Sequence, residues 1–277
     1  MSRVAVVTGS NKGIGLACIR ALCKQLKPDD VVYLTARNPE LGKKAVADLE
    51  KEGLKPRFHQ LDISNKASVE ALRDHLKKEH GGLDILINNA AIAYKDEDPA
   101  PFAEQAKVTN DINYFKTAQV FHTLSPLLRA NARVVNVASF VANWTWGKME
   151  ENVKEKFRHL SKEEELDKIV KEFVDLATTG EHTKHGYPNT SYGFSKVAVA
   201  AMTKLQDQEM QKDSKRPGII VYSADPGYVK TDMSSQGGDK NTDEGADTLV
   251  WLALRTENAT EGRGEMFSDR KINKVIL

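Results

Sequence analysis

Cysteine is scarce in this chain of 277 residues, which contains only Cys18 and Cys23. Both fall within one predicted helix, well round the helix from each other, so we expect no disulfide between them. Two thiols are also too few for a cysteine-based metal site. The seven histidines add no alternative, since His182 and His185 lie in a loop rich in glycine, threonine and lysine with no third ligand nearby. We therefore predict no metal site.

Long apolar runs and an excess of charge of one sign are also lacking. No stretch reaches the roughly 18 apolar residues that a membrane span requires, and the apolar run that follows Arg3 is too short for the core of a signal peptide. The 40 basic and 39 acidic side chains give a formal net charge of +1, so no broad field attracts nucleic acid or anionic lipid. We predict a cytoplasmic protein that binds neither nucleic acid nor membrane.

The order of predicted elements indicates an α/β fold. Short runs rich in β-branched residues alternate with amphipathic helical stretches. This alternation implies a doubly wound parallel sheet of the Rossmann type, with helices on both faces. The predicted strands are 4–8, 31–36, 57–61, 83–88, 133–139, 218–224 and 264–267. The predicted helices are 13–26, 41–51, 68–78, 102–128 and 243–254. Because no linker divides the chain, we predict one domain over residues 1–277.

One long stretch before Tyr192 interrupts the alternation. Its length of about fifty residues exceeds that of a simple crossover, which predicts a helical insertion over residues 143–186. Within it, apolar residues recur at helical spacing from Leu166 to Ala177. Ser161 followed by Glu164 has the form of a capping box, and the acidic first turn is favoured by the helix dipole.

A glycine-rich segment follows the first strand and opens the first helix. Glycines let backbone N–H groups approach a pyrophosphate, and a helix amino terminus favours negative charge. A strand-to-helix turn with positive φ would also use glycine, but the position at the first strand–helix junction favours a nucleotide. The candidate binding residues in this segment are Gly9, Asn11, Lys12, Gly13, Ile14 and Gly15.

The end of the second predicted strand indicates which nicotinamide cofactor binds. An NAD site places a carboxylate there for the ribose 2′-hydroxyl, whereas an NADP site places an arginine for the 2′-phosphate. Here Arg37 takes that place, with no acid before Glu40, and Lys12 adds a second cation. Either cation alone would be an ordinary surface residue, but the pair predicts NADPH.

Tyr192 and Lys196 are four positions apart, which on a helix places a phenol and an ammonium on one face. A nearby cation favours the phenolate, so we expect Lys196 to bring the pKa of Tyr192 toward neutrality. The pair alone is common, because a tyrosine at the core edge of an amphipathic helix would also produce it. Ser139 makes the pattern specific, since it ends a predicted strand and ligands bind beyond the carboxyl ends of such strands. Its hydroxyl could hold a carbonyl oxygen while Tyr192 protonates it.

Together these motifs resemble the short-chain dehydrogenase/reductase family, and within it the carbonyl reductase branch that has a long insertion before the tyrosine. The resemblance covers nearly the whole chain and includes the motifs Leu61-Asp62-Ile63, Asn88-Asn89-Ala90 and Pro226-Gly227-Tyr228-Val229-Lys230-Thr231-Asp232. It implies a catalytic tetrad that consists of Asn113, Ser139, Tyr192 and Lys196. By the same resemblance, Lys196 would also grip the nicotinamide ribose, and Asn113 would hold a water in a proton relay.

The resemblance implies further cofactor contacts. Asp62 and Ile63 would flank the adenine, and Asn89 would lie beside the ribose. The last motif would contribute Pro226, Gly227, Val229 and Thr231, of which Val229 and Thr231 would contact the carboxamide. The insertion would cover the helical face that family members often use to oligomerise, which implies a monomer.

Two positions depart from the family pattern. The usual Asn-Asn-Ala-Gly ends in Ala91 here, which adds a methyl group where the backbone approaches the cofactor. Ala224 and Asp225 stand where vertebrate carbonyl reductases tend to carry cysteine, which weakens any carry-over of their thiol-linked behaviour. Neither departure touches the tetrad.

Apolar residues follow the candidate catalytic and cofactor positions and could form a substrate wall with Ser139. They are Phe140, Val141, Trp144, Trp146 and Tyr228. Aromatic walls with few polar groups suit flat or hydrophobic ligands, although core packing under the insertion explains the tryptophans equally well. The resemblance implies quinones, aromatic aldehydes, α-dicarbonyls, or steroid and prostaglandin ketones as substrates.

We therefore predict an NADPH-dependent enzyme that reduces small carbonyl compounds to alcohols, with Tyr192 as proton donor. Two alternatives stay open. A non-catalytic NADPH-binding sensor or scaffold would keep the fold, although it has no chemical need for all four tetrad residues. An alcohol or steroid dehydrogenase would work in the oxidative direction, against which Lys12 and Arg37 count in a cytosol where NADP is held mostly reduced.

Overall fold

A computed structural model of the protein describes residues 2–95, 97–256 and 258–275. The strands are β1 (Val4–Val7), β2 (Val31–Ala36), β3 (Arg57–Gln60), β4 (Leu83–Asn88), β5 (Leu128–Val137), β6 (Ile220–Asp225), β7 (Met266–Ser268) and β8 (Lys271–Ile272). They form one 8-stranded sheet in the order β3-β2-β1-β4-β5-β6-β7-β8. All neighbours from β3 to β7 are parallel, and only β7 and β8 are antiparallel.

The predicted doubly wound parallel sheet is confirmed, with one addition. The sequence did not predict β8, because a strand of two residues is too short to show a hydrophobic period. The sheet draws strands from both halves of the chain, which supports the single domain over residues 1–277. That domain stays a prediction.

Helices cover both faces of the sheet. They are α1 (Gly13–Gln25), α2 (Pro39–Lys51), α3 (Lys66–His80), α4 (Phe102–Asn110), α5 (Thr117–Leu124), α6 (Val141–Lys148), α7 (Glu151–Arg158), α8 (Glu163–Thr179), α9 (Ser191–Gln211) and α10 (Thr242–Ala253). A π-helical turn, Asp111–Lys116, joins α4 to α5. The predicted helix 102–128 therefore ends before 128, where β5 already begins, and Ser139 lies just beyond the end of β5 rather than within it.

The central strands are apolar because both of their faces are covered. All four residues of β1 are buried. One face packs against α1 and α10, and the other packs against α3 and α5. Burial on both sides is the reason for a continuous apolar run in place of an alternating one. The polar carboxyl ends of these strands are left to form one edge of the sheet, where the candidate site lies.

The predicted insertion is helical, comprising α6, α7, α8 and the short turn His182–His185. Helix α8 packs against α4 and α9, and the rings of Phe173 and Phe194 lie 4.1 Å apart between their centroids. The predicted pairing of Ser161 with Glu164 is wrong by one residue. Because α8 begins at Glu163, Glu165 occupies the third helical position, and its carboxylate accepts from the backbone N–H of Ser161 at 2.8 Å.

Three global features hold over the part of the chain that the structure describes. None of the helices there combines the length and the apolar character needed to cross a bilayer. No cluster of three or more histidine, cysteine, aspartate or glutamate side chains in those residues could hold a metal ion. Cys18 and Cys23 are free thiols.

Candidate active site

The glycine-rich segment joins β1 to α1 at the carboxyl edge of the sheet. Gly9 and Gly13 have φ angles of +59° and +58°, a region that favours glycine. A Cβ on Gly15 would stand 2.5 Å from Nδ2 of Asn89, so only glycine permits this approach. The Asn89 amide donates to the carbonyls of Thr8 at 2.9 Å and Gly9 at 3.0 Å, which ties the end of β4 to the segment.

The amino terminus of α1 has no side-chain cap. Its N-cap residue, Lys12, makes no capping hydrogen bond, whereas asparagines cap α2, α3 and α10, namely Asn38, Asn65 and Asn241. The first residues of α1, Gly13 to Gly15, line a cleft. The N–H groups and positive dipole end of α1 are therefore available to an anion in that cleft.

The cleft has a volume of about 760 Å³ and runs along the carboxyl ends of the strands. Its walls contain most of the predicted cofactor-binding positions, namely Gly9, Asn11, Lys12, Gly13, Ile14, Gly15, Arg37, Asp62, Ile63, Asn89 and Thr231. An uncapped helix terminus, closely approaching backbone and two cations are the features that a phosphorylated dinucleotide requires. The residues present therefore fit the predicted NADPH.

The two predicted 2′-phosphate ligands differ in their surroundings. Arg37 is exposed at the rim of the cleft. Lys12 forms an ion pair with Asp232 at 2.7 Å, and this lysine holds the pKa of Asp232 below its usual range. The Asp62 side chain bonds within its own loop, where its carboxylate accepts hydrogen bonds from the hydroxyl and the N–H of Ser64.

Some predicted cofactor positions lie outside the walls of the cleft. Val229 is buried, and the nearest contact that a Cβ on Gly245 would meet is a methyl of Val229. Pro226 and Gly227 form the turn after β6, with a φ of +80° at Gly227. Contacts of these three residues with a cofactor stay predictions.

Two lysines in the cleft were missed from the sequence. Both Lys95 and Lys230 line it. Lys95 follows the motif Asn88-Asn89-Ala90, and Lys230 lies within the motif that runs from Pro226 to Asp232, where it was assigned no role. Their nearness to those motifs in the sequence was the one signal that could have predicted both lysines. Both cations add to the positive charge at the mouth of the cleft.

Ala91 also lines the cleft, but it causes no backbone strain. The non-glycine residues with positive φ in the described chain are Asn131, Ser235, Gln236, Asp269 and Arg270. Ala91 therefore does not need the left-handed conformation that would favour glycine there.

A buried polar ladder fixes α9 against the sheet. Asn88 donates from Nδ2 to Oδ1 of Asn136 on the neighbouring strand at 2.8 Å. Asn136 in turn donates to Thr203 Oγ1 and to Gln206 Oε1, both at 3.0 Å. Because these contacts set the position of α9 along its axis, they place its first turns beside the end of β5.

Asn113 lies in the π-helical turn between α4 and α5, a kind of irregularity that often marks functional sites. Its side chain accepts from the Ile92 N–H at 2.8 Å and donates to the Ile92 carbonyl at 2.9 Å. It also donates to Oγ of Ser195 on α9 at 3.1 Å. The sequence did not single out Ser195, which directly precedes Lys196 and links Asn113 to α9.

Lys196 and Tyr192 meet at the end of β5. The Lys196 ammonium donates to the Val137 carbonyl at 2.7 Å and lies 5.5 Å from the centre of the Tyr192 ring. Burial lowers the pKa of Lys196 to about 8, against the opposing effect of Asp225. Burial raises the pKa of Tyr192 to about 12, although a hydrogen bond with Ser139 lowers it.

The sequence predicted that Lys196 lowers the Tyr192 pKa, whereas the net shift is upward and Lys196 is not among its main causes. The sequence reveals the cation one turn away, but it does not reveal how far the neighbouring residues shield the partly exposed Tyr192 from water. Desolvation penalises the phenolate and is the largest influence on the Tyr192 pKa. Tyr192 is consequently a firmly protonated phenol at neutral pH.

The substrate wall is divided between surface and core. Phe140 and Trp144 form an edge-to-face pair with 4.8 Å between ring centroids, and Trp144 is 65% exposed. Tyr228 is also largely exposed. Trp146 instead packs edge-on against Phe157 in the core beneath the insertion. Core packing therefore explains Trp146, and the place of Trp144 in a substrate wall stays a prediction.

Helix α6, which carries this wall, approaches α9 very closely. A Cβ on Gly193 would stand 2.1 Å from Oγ1 of Thr145, so the absence of a side chain permits the contact. Ser139 immediately precedes α6, is buried, and accepts from the Val141 N–H at 3.3 Å. Ser139 and Tyr192 share a hydrogen bond beyond the end of β5, next to the helix that carries Trp144.

Comparison with known proteins gives consistent relatives. Residues 3–150 match the family model described as short chain dehydrogenase. Carbonyl reductase [NADPH] 3 of Rattus norvegicus is 43% identical over 272 residues, which is 98% of either chain. Carbonyl reductase [NADPH] 1 of Homo sapiens is 42% identical over 272 residues with the same coverage. Among solved structures, salutaridine reductase from Papaver somniferum is 28% identical with a TM-score of 0.84, covering 96% of this chain and 99% of its own.

Proposed function

The chain belongs to the short-chain dehydrogenase family, and from that membership we propose that it uses NADPH to reduce small carbonyl compounds to alcohols. The observation that carries the proposal is the convergence of Ser139, Tyr192 and Lys196 beyond the end of β5. The relatives whose names include carbonyl reductase [NADPH] support the same reaction class.

In this reaction NADPH, when bound in the cleft, supplies the hydride. Ser139 holds the substrate carbonyl oxygen by a hydrogen bond from its hydroxyl, and Tyr192 donates the proton to that oxygen. The Lys196 ammonium, anchored on the Val137 carbonyl, stabilises the phenolate that Tyr192 becomes. Asn113 donates a hydrogen bond to Ser195 on α9 and so holds Tyr192 and Lys196 in position at the end of β5.

The raised pKa of Tyr192 keeps the phenol in the protonated form that reduction requires. A proton donor must be protonated at the working pH, and burial keeps the phenol in that form. An alkoxide oxygen is a stronger base than a phenolate, so Tyr192 still releases its proton when an alkoxide develops. An alcohol-oxidising enzyme would instead need a phenolate base, which burial of Tyr192 disfavours.

Substrate class, assembly and location are also part of the proposal. The exposed rings of Trp144 and Tyr228, with the partly buried Phe140 beside Trp144, suit quinones, aromatic aldehydes, α-dicarbonyls and hydrophobic ketones. Because α8 covers α4 and α9, we propose a monomer. The near balance of charges supports a cytoplasmic protein without nucleic-acid partners.

The test is a panel of these carbonyl compounds, with NADPH consumption followed by absorbance and kcat/KM compared between NADPH and NADH. Tyr192→Phe removes the proton donor but leaves the cleft intact. We expect it to lower kcat by about 10²- to 10⁴-fold, while the NADPH dissociation constant measured by fluorescence stays near that of the wild type. Wild-type turnover in this variant would refute the role of Tyr192. Tight NADPH binding without turnover of any panel member would favour the non-catalytic sensor.

A further inference from the structure

Asp225 is a buried carboxylate at the end of β6, and it has no part in the proton transfer described above. It is 2% exposed. One carboxylate oxygen accepts from the Gly227 N–H at 2.9 Å, and the other accepts from the Ser268 hydroxyl at 2.8 Å. An Asp side chain that accepts from the N–H two residues later stabilises a tight turn. Asp225 thereby fixes the Pro226–Gly227 turn that leads into the cofactor segment.

The alternation of side chains along β6 places Asp225 on the same face as Lys196. Tyr222 and Ala224 point into the core under α1 and α10, so Asp225 points to the opposite face, which α9 covers. Lys196 reaches this face from α9 and is anchored on Val137, whose partner in the sheet is Ala224. The carboxylate therefore lies one residue along β6 from the strand pair that holds the ammonium.

The charge of Asp225 acts on the titratable groups around it. On α9 it raises the pKa of both Lys196 and Tyr192. On the loop after β6 it also acts on Lys240, which is paired with Asp269. Burial lowers the pKa of Lys196 and so favours the neutral amine, and the Asp225 carboxylate opposes this effect. Both effects on α9 preserve the protonated forms that reduction requires.

We propose that Asp225 is a positioning residue that keeps the Lys196 ammonium charged and the Tyr192 phenol protonated. The proposal rests on the carbonyl reduction proposed above. It assigns a role to a position where the sequence departs from the family pattern. A neutral side chain there would retain the turn but lose the counter-charge to a buried cation.

The test is the pH profile of kcat/KM for carbonyl reduction in the full-length protein. Asp225→Asn keeps an oxygen that can accept from Gly227 but removes the charge. Removing a nearby negative charge lowers the pKa of both Lys196 and Tyr192, so activity should be lost at lower pH. We expect the alkaline limb to move down by about one pH unit. Ser268→Ala removes one hydrogen bond to Asp225 but keeps its charge, and should leave the limb in place.

Two further variants separate charge from structure. Asp225→Glu retains the charge and should bring the alkaline limb back toward that of the wild type. Asp225→Ser is a second uncharged variant with an acceptor for Gly227, and it replaces Asp225→Asn if that protein does not fold. An alkaline limb that stays in place in the uncharged variants, or one that moves as far in Ser268→Ala, would overturn the proposal.

A measurement independent of turnover distinguishes this proposal from the reaction itself. Carbon-13 labelling of the lysine ε-carbons allows the ammonium of Lys196 to be titrated by NMR, with its signal assigned by its loss in Lys196→Arg. The midpoint of about 8 expected for the wild type should fall in Asp225→Asn. A lowered midpoint in a protein that reduces no carbonyl would retain the role of Asp225 and refute the proposed function. An unchanged midpoint would refute the role of Asp225 whatever the activity.

Discussion

At the scale of single residues, the two cations at the cofactor cleft are not equivalent. Lys12 shares its charge with Asp232, but both side chains are exposed, at 68% and 65%, so water weakens the pair. Such a lysine can exchange one anionic partner for another at little cost. Arg37 offers a planar set of donors that matches a phosphate more closely than an ammonium does. We therefore expect Arg37 to contribute more to the choice between NADPH and NADH.

Replacing Arg37 by aspartate tests this expectation. Arg37→Asp removes the phosphate ligand and adds a carboxylate suited to a free 2′-hydroxyl. We expect kcat/KM with NADPH to fall by about 10- to 100-fold, the equivalent of losing hydrogen bonds to a charged group. The value with NADH should be unchanged or higher. Arg73→Asp makes the same change of charge on α3, outside the cleft walls, and should preserve the preference for NADPH. An unchanged preference in Arg37→Asp would contradict the assignment of Arg37.

The sequence predicted which residues lie near one another better than it predicted their environments. The glycine-rich segment and Arg37 could be placed at the cofactor site because their signals are local to one strand–helix junction. The ion pair of Lys12 with Asp232 could not be predicted, because it joins residues far apart in the chain. The Tyr192 pKa was predicted in the wrong direction for a related reason. Desolvation depends on everything packed around the phenol, and one turn of helix does not encode it.

At the scale of elements, the site depends on two helices that meet at a glycine. Gly193 lies between Tyr192 and the residues of α9 that pack in the core, and it faces Thr145 on α6. This contact holds α6 beside Tyr192, and α6 presents Trp144 on its outer side. A shift of α6 away from α9 would therefore move Trp144 relative to Tyr192.

A methyl group at this contact should disturb both stability and substrate binding. In Gly193→Ala the new Cβ would overlap Oγ1 of Thr145, so α6 must shift. We expect a loss of about 1–3 kcal/mol in the free energy of unfolding, as for other overpacked cores, and a raised KM for aromatic carbonyls. Gly147→Ala is the matched control, because a Cβ there meets nothing within 4 Å and alanine favours the helix. Equal behaviour of the two variants would show that the α6–α9 contact is not tight.

Boundaries of elements were predicted less well than their order. The strand–helix alternation gave the sheet, because buried strands produce apolar runs that can be read directly. The capping box of α8 was displaced by one residue, since Ser161, Glu164 and Glu165 all suit the pattern and only the helix start selects among them. The π-helical turn at Asn113 has no signal in hydrophobic spacing. The turn is known only from the structure, which also shows the contacts of the Asn113 side chain with Ile92 and Ser195.

At the scale of the whole molecule, the insertion changes which surfaces are available for assembly. Helix α8 buries Leu166, Val170 and Phe173 completely. Phe173 stacks on Phe194, so the insertion is part of the same core as the catalytic helix. Covering α4 and α9 in this way removes an apolar face that a second copy of the chain could otherwise pack against.

The protein should therefore be a monomer in solution, for a steric and not an electrostatic reason. A formal net charge of +1 provides almost no repulsion between copies, so only the covered face opposes association. Size-exclusion chromatography with light scattering should give a mass near 30.8 kDa, and this mass should not change with protein concentration or with salt. Salt independence is the discriminating part, because a monomer maintained by charge repulsion would associate when salt screens the charges. A stable mass of twice this value would mean that copies meet through a surface other than the one that α8 covers.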